Sequence, residues 1–447
     1  MYINRIIDKF LIEWKESENR KPLLLRGARQ VGKSCAIRNL GIQFEYFLEV
    51  NFEKRPDTKT LFESNTDVRT ITKQLGLLWG VNVEPGKTLL FLDEIQSCPE
   101  ALKSLWFFKE DFPELHVIAA GSLLEFTLKE MPSYGVGRIK SLFMYPFSFN
   151  EFLCAIGKNN WVDAIREASA ESPLFDAIHN ELITQYRNFL IIGGMPASVA
   201  MWVKKHDYKL CQSELDDIQT SYYDDFAKYS KKISPQLLRN TLLSVVAQNG
   251  KKFVYNKVEG GYRTEEIKKA LNMLSDAGII KRVNHTAANG LPLGAEINDK
   301  FRKYLYLDSG LLLRILDLDL GGANELTQLI VTGSVADLVN KGGLAELFLG
   351  WEMLKHSNPA SSHDLFYWEN IKDGACSEVD YITGKNFKVL PIECKAGISG
   401  KMKSLHLFMK DKHLTEAIRC SLENFNEIKD GERTIKIIPL YAASKIM

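Results

Sequence analysis

The sequence predicts an α/β protein: a parallel, helix-covered sheet first, then a helical stretch, then a second α/β region near the C-terminal end. Three observations predict it. Short apolar runs at Pro22–Leu25, Phe44–Val50, Thr88–Asp93, Leu115–Gly121 and Ile139–Tyr145 alternate with helical stretches such as Glu100–Glu110, which is the pattern of a parallel sheet covered by helices. From about residue 150 to 232 the pattern is helical and polar. Beyond residue 376, Ser377–Thr383 and Lys388–Lys395 read as two strands joined by a short Gly384-Lys385-Asn386 turn.

The first run leads into Gly27-Ala28-Arg29-Gln30-Val31-Gly32-Lys33-Ser34. Each fixed position of this segment has a chemical reason. Gly27 and Gly32 let the backbone turn tightly, so that successive N–H groups point at a phosphate. Lys33 supplies a point charge for the β- and γ-phosphates, and Ser34 a hydroxyl for Mg²⁺. The helix expected over Cys35–Leu40 adds an N-terminal dipole that favours anions. ATP with Mg²⁺ is the expected cofactor, and residues 27–34 are its expected cradle.

The third run, Leu89-Leu90-Phe91-Leu92-Asp93-Glu94, carries an acidic pair to the C-terminal end of a strand, where ligands bind in open α/β sheets. Asp93 is expected to hold the Mg²⁺ shell with Ser34. Glu94 is expected to orient or deprotonate the attacking water. Ser122 ends the fourth run and has two readings, a γ-phosphate sensor or the N-cap of the next helix. Arg138, in Gly135-Val136-Gly137-Arg138, meets nucleotide charge in cis, meets it from a neighbouring subunit, or is a solvated side chain.

The order of Gly27–Ser34, Phe91–Gln96, Ala119–Phe126, Gly135–Ile139 and Tyr145–Phe152 resembles the AAA+-type ATPases of bacteria and archaea that carry a C-terminal domain of unknown function. The resemblance runs from end to end. It implies an ATPase core, a helical lid, a winged helix and a nuclease-like tail, and it leaves the biological role open.

Composition bounds the rest. The chain has 447 residues, 45% hydrophobic and 25% charged, with a net charge of +1. This is an ordinary globular balance, and any nucleic-acid surface has to be local. The seven cysteines, at 35, 98, 154, 211, 376, 394 and 420, lack metal-type spacing, so reduced thiols of a cytoplasmic protein are the simplest account. No apolar run approaches the length of a membrane span, and the start lacks a signal-peptide layout.

In the middle of the chain, Gly193-Gly194-Met195-Pro196 marks a sharp turn, either a lid-to-core hinge or a simple tight turn. Ser234-Pro235 is a helix start with a capping hydroxyl. Leu237, Leu238, Thr241, Leu242 and Val245 follow at helical spacing. A second helix opens at Thr264 and stops at Gly278, and Ile279–Val283 reads as a strand. Helix, helix, strand is a winged-helix order. Residues 231–300 hold 12 Lys and Arg against 6 Asp and Glu. If the unit binds DNA, Arg263, Lys268, Lys269, Lys281 and Arg282 face phosphates or base edges. Glu265 and Glu266 at the tip of the second helix argue for a structural or protein-binding unit instead.

In the two C-terminal runs, Glu393 and Lys395 share one face of a strand, and a neighbouring strand brings Asp380 beside them. Two carboxylates fixing a hard divalent cation next to a lysine make a workable phosphodiesterase site. Upstream, Glu346 on a helix adds a third carboxylate. The ordered set Glu346, Asp380, Glu393 and Lys395 resembles the PD-(D/E)xK restriction-endonuclease-like superfamily, with Val379 where that motif has proline.

The expected domains are thus 1–150 (ATPase core), 151–232 (lid), 233–300 (winged helix) and 301–447 (nuclease-like). The expected function is ATP-driven, metal-dependent action on DNA with no membrane partner; a homo-oligomer is one alternative, and monomers or dimers are the other. The rival is a nucleotide-dependent switch whose tail binds a partner, protein or DNA, without cutting. A third reading is a winged-helix regulator.

Overall fold

The computed structural model describes residues 2–122, 124, 128, 137–228, 233–316, 341–372, 375–398 and 400–447. Gly135 and Val136 of the segment before Arg138, and the expected lid boundary at residue 232, lie outside these residues. The chain divides into two units: residues 1–146 with 276–279 and 358–362, and residues 147–275, 280–357 and 363–447.

The first unit is built on five strands: β1 (Leu23–Arg26), β2 (Tyr46–Asn51), β3 (Thr88–Asp93), β4 (His116–Ala120) and β5 (Lys140–Phe143). Every pairing is parallel, in the order β2-β3-β4-β1-β5. β3 and β4 are buried along their whole length, which explains why they read as unbroken apolar runs rather than alternating ones. Val68, Ile71 and Leu75 of the helix Val68–Trp79 and Leu102, Leu105 and Phe108 of the helix Pro99–Asp111 pack with Leu48, Leu90 and Leu92 of the sheet. Because β4 lies between β1 and β3, all three present their C-terminal ends side by side. The loops that follow them are therefore gathered at one edge of the sheet.

The second unit contains an eight-stranded mixed sheet, in the order β12-β13-β11-β10-β9-β8-β6-β7. Its strands are β6 (Ile280–Thr286), β7 (Ile297–Tyr306), β8 (Leu365–Lys372), β9 (Ala375–Lys385), β10 (Lys388–Cys394), β11 (Glu416–Ser421), β12 (Asn426–Asp430) and β13 (Arg433–Pro439). β9 and β10 form the expected antiparallel pair, with Ile392 opposite Tyr381. The helices Pro235–Ala247 and Thr264–Asp276 precede β6, and Gly278 stops the second with φ of 71°.

Two expected boundaries fall inside elements, and one expected cap is not made. Residue 150 lies inside the helix Phe149–Ala155, which Ser148 and Glu151 start with a reciprocal capping box. Residue 300 lies inside β7, and β6 pairs with β8, so the hairpin after the two helices is continuous with the C-terminal sheet. Ser234 occupies the N-cap position without a side-chain capping bond.

The Gly193-Gly194 turn also has a defined role. Gly194 N–H donates to Asp308 Oδ2 at 2.6 Å, and Phe147 N–H donates to Gly194 O at 2.7 Å. A Cβ on Gly193, whose φ is 71°, would sit 2.1 Å from Asp308 Oδ1. Asp308 is buried and also caps the helix Ser309–Ile315 through Leu311 N–H. The turn is clamped from both sides, which favours the tight-turn reading over the hinge.

Candidate functional site

The phosphate-type loop follows β1, and its backbone has the conformations its glycines were expected to provide. Gly27 has φ of 147°, and a Cβ there would lie 2.1 Å from Met144 O. Gly32, at φ of 99°, opens the helix Lys33–Gly41, so the loop ends on a helix N-terminus. Gln30 is also left-handed. Ala28 and Val31 are buried and anchor the loop, while Arg29 is half-buried beside Lys33. Arg5, which the sequence did not single out, donates to Val31 O at 3.1 Å and to Tyr145 O at 2.7 Å.

Lys33 is buried, and its Nζ donates to Gly27 O at 2.9 Å and Ala28 O at 2.8 Å. Burial pushes its pKa down to about 8, against the opposing pull of Glu94 and Asp93. Ser34 Oγ donates to Asp93 Oδ1 at 3.1 Å, and Asn51 Nδ2 to Asp93 Oδ2 at 3.0 Å. Burial, then the neighbouring Glu94, raises the Asp93 carboxyl. A hydroxyl and a carboxylate this close are hard oxygen donors that fit Mg²⁺. Glu94 is held in the left-handed region at φ of 51°, and Gln96 Nε2 donates to its Oε2 at 2.6 Å. Behind that pair a Cβ on Gly121 would lie 2.0 Å from Gln96 Oε1. Ser122, one residue further, is half-buried at the end of β4, between the loop and the acidic pair.

Arg138 is placed differently from its cis reading. It precedes β5, and β5 begins opposite Leu23, at the N-terminal edge of a parallel sheet. The loop 27–34 leaves the C-terminal edge. Arg138 Nε instead donates to Glu110 Oε1 at 2.6 Å, with its guanidinium over the Trp106 ring.

The second cluster lies in the eight-stranded sheet. Glu346 of the helix Lys341–Lys355, with Glu378 and Asp380 of β9, can each place one carboxylate oxygen within 4.8 Å of the others. Glu378 enters this group where Glu393 was expected. The two-residue step from Glu378 to Asp380 was a usable signal, since it puts both on one face of β9. Glu393 follows Ile392, which pairs with Tyr381, the residue after Asp380, and the Asp380 charge acts on Glu393. Glu393 pairs through Oε1 with Lys395 Nζ, while its Oε2 is buried without a partner among the described residues. Cys394 N–H donates to Asp380 Oδ2 at 2.7 Å.

Lys303 of β7 was missed by the sequence reading. It is 1% exposed, with Nζ 3.2 Å from Glu346 Oε2 and in direct contact with Glu378 Oε1. Burial raises the carboxyls of Glu346, Glu378 and Glu393, with Asp380 adding to the effect in each. Burial would lower the Lys303 ammonium, but Glu346, Glu378 and Asp380 more than offset this and hold it charged. Oxygen donors gathered this way fit a hard divalent cation.

The basic residues expected to meet DNA are divided. Lys281 is mostly buried, pairs with Asp364 at 3.7 Å and donates to His363 O. Arg282 pairs with Asp299 of β7, and Lys268 pairs with Glu265 at 2.7 Å. Arg263 and Lys269 are exposed. Lys281 and Arg282 are therefore engaged within the fold, because β6 runs between β7 and β8.

Comparison with known families agrees with this layout. Residues 19–153 match the model of an AAA domain. Residues 183–320 match a domain of unknown function (DUF8612), and residues 341–442 match another (DUF4143). No curated protein matches the chain. Among solved structures, a Walker-type ATPase of Pyrococcus abyssi is similar over 71% of this chain and 96% of its own, at 14% identity and a TM-score of 0.45. The Aeropyrum pernix ORC1 protein in complex with DNA is similar over 70% and 90%, at 13% identity and a TM-score of 0.27. Drosophila ORC bound to DNA is similar over 70% and 85%, at 15% identity and a TM-score of 0.23. The loop geometry and the AAA match together identify an AAA-type P-loop ATPase domain in the N-terminal part of the chain. Among the described residues no helix is long and apolar enough to cross a membrane.

Proposed function

We propose that the chain hydrolyses ATP at residues 27–34 and uses the cycle to control a metal-dependent phosphodiesterase site acting on DNA. The ATPase half rests on one observation, the contact of Ser34 with Asp93 beside the buried Lys33. Lys33 exchanges two loop carbonyls for phosphate oxygens, and the Gly27–Ser34 backbone N–H groups cradle the phosphates. Ser34 and Asp93 would hold Mg²⁺, which would supply charge to neutralise the phosphates. Glu94 accepts a proton from the attacking water, Gln96 fixes its carboxylate, and Ser122 senses the γ-phosphate. Arg138 acts only from a neighbouring copy, since it stands just before β5 at the opposite edge of the sheet.

The nuclease half rests on the convergence of Glu346, Glu378 and Asp380 beside the Glu393–Lys395 pair. Asp380 and Glu393 would hold a divalent cation, which would polarise phosphate and lower the pKa of water. Lys395 positions the water. Arg263 and Lys269 offer the exposed charge for DNA phosphates. The test is ATP hydrolysis with single-stranded, duplex and branched DNA, together with cleavage of each form in Mg²⁺ or Mn²⁺. Stimulation by one form and cleavage lost in Asp380→Ala are expected. No metal-dependent cleavage across the panel would refute the nuclease half.

One observation favours the second reading, in which the C-terminal sheet binds protein or DNA without cutting. Lys303 already bridges two of the three converging carboxylates. Absence of any metal binding on titration decides for that reading.

A further inference from the structure

The three converging carboxylates and the neighbouring Glu393 are not equivalent. Glu346 and Glu378 share the ammonium of Lys303. Glu393, only 5% exposed, gives one oxygen to Lys395 and leaves its Oε2 buried and without a partner among the described residues. Asp380 accepts the backbone N–H of Cys394. Glu346 and Glu378 thus share one ammonium, Glu393 is paired with a second through Oε1 alone, and the remaining acceptor capacity lies at Glu393 Oε2 and Asp380.

Lys303 comes from outside the C-terminal segment. It sits on β7, in the stretch 183–320, whereas the carboxylates belong to the stretch 341–442. The shared sheet joins the two, since β7 and β9 are strands of one ladder series. An ammonium with 1% exposure is strongly disfavoured unless it is paired. Its position between oxygens of two elements is the position of a bridging cation, and the Tyr367 ring, 5.1 Å from Nζ, adds a further face for positive charge.

We infer that Lys303 is the resident cation of this cluster. It takes the place of a second divalent ion between Glu346 and Glu378, and it limits the site to a single divalent ion at Asp380 and Glu393. The inference rests on the metal-dependent reading above, deepens it, and fixes its stoichiometry. Two-metal phosphodiesterases use both ions to stabilise the attacking and leaving oxygens. Here a protein ammonium replaces one of them, and being buried against carboxylates it serves to set charge rather than to touch substrate.

The test is Mn²⁺ binding to the full chain, stripped of metal and free of nucleotide, by titration calorimetry. The ions counted are those lost in Asp380→Ala. The wild-type chain is expected to bind one. Lys303→Met is expected to bind two, or one at least tenfold more tightly. Lys303→Arg, which keeps the charge, is expected to bind one at wild-type strength. Because Lys303→Met leaves two buried carboxylates uncompensated, its melting temperature is read in parallel. It is expected to fall without metal and to recover with Mn²⁺ by more than the wild type gains.

Two ions in the wild type overturn the inference without any variant. Equal count and affinity in the wild type and folded Lys303→Met overturn it as well. No ion in the wild type but one in Lys303→Met sinks the metal-dependent reading while upholding Lys303 as the occupant. No ion in either sinks both.

Discussion

Burial pushes the Lys33 ammonium down to about 8, and this gives nucleotide binding a pH dependence. Phosphate favours the charged lysine, so ATP affinity is expected to hold steady below pH 8. Above it, affinity falls by up to about tenfold per pH unit as the lysine loses its proton. Titrating a fluorescent ATP analogue from pH 7 to 9.5 checks this, and a flat profile would show that Lys33 stays charged. Lys33→Met is expected to weaken binding roughly 10- to 100-fold, the worth of one hydrogen bond to a charged group, and to flatten the profile. Glu94→Gln is expected to keep ATP binding and lower turnover roughly 10²- to 10⁴-fold, the usual share of a general base. Lys33, Ser34, Asp93 and Glu94 were legible because the loop and the acidic strand end are each contiguous in sequence. Lys303 was not legible, because nothing near it in sequence distinguishes it from a surface lysine. Only the sheet order, which threads β6 and β7 beside β8, carries it to Glu378.

At the scale of elements, caps and turns separate what composition suggests from what geometry delivers. Ser148 and Ser234 both stand at helix N-caps, yet only Ser148 accepts the N–H three residues on, from Glu151 at 3.2 Å. Ser148→Ala is expected to cost about 1–2 kcal/mol and Ser234→Ala only a few tenths, by chemical denaturation. Equal losses would mean that Ser234 caps in solution. The Ser-x-x-Glu spacing at Ser148 was the available signal. Asp308 had no such signal, since its partners Gly193 and Gly194 lie more than a hundred residues upstream. β3, β4, β9 and β10 were legible from runs and alternation. The fusion of β6 and β7 to the C-terminal sheet was not, because strand partners over long sequence separations leave no local pattern. For that reason the boundary expected at residue 300 falls inside β7.

Over the whole molecule, buried carboxyls with raised pKa set how stability responds to pH. Burial raises Glu346, Glu378, Glu393, Asp93 and Asp308. In the unfolded chain such groups ionise near 4. Between that value and their raised folded values the folded state binds more protons than the unfolded one, so stability falls as pH rises. Carboxyls lowered by surface partners, such as Asp57 and Asp67, have the opposite sign, but they are exposed and screened by solvent. Burial lowers His116 and His179, which act in the opposite sense below about 6.5, but the five raised carboxyls outnumber them, so the metal-free protein is expected to melt at a lower temperature at pH 8 than at pH 5.5. Mn²⁺ takes the ionised carboxylates and releases their remaining protons, so its stabilisation has the reverse trend. At about 100 times its dissociation constant an ion adds about 2.7 kcal/mol. In a unit of this size that is a shift of several degrees, at roughly 2–4 °C per kcal/mol. The shift is expected to be larger at pH 8 than at pH 5.5 and to vanish in Asp380→Ala. Calorimetric melting with EDTA or Mn²⁺ at the two pH values measures all three quantities. An equal Mn²⁺ shift at both would separate the ion from these carboxylates and place it elsewhere in the molecule.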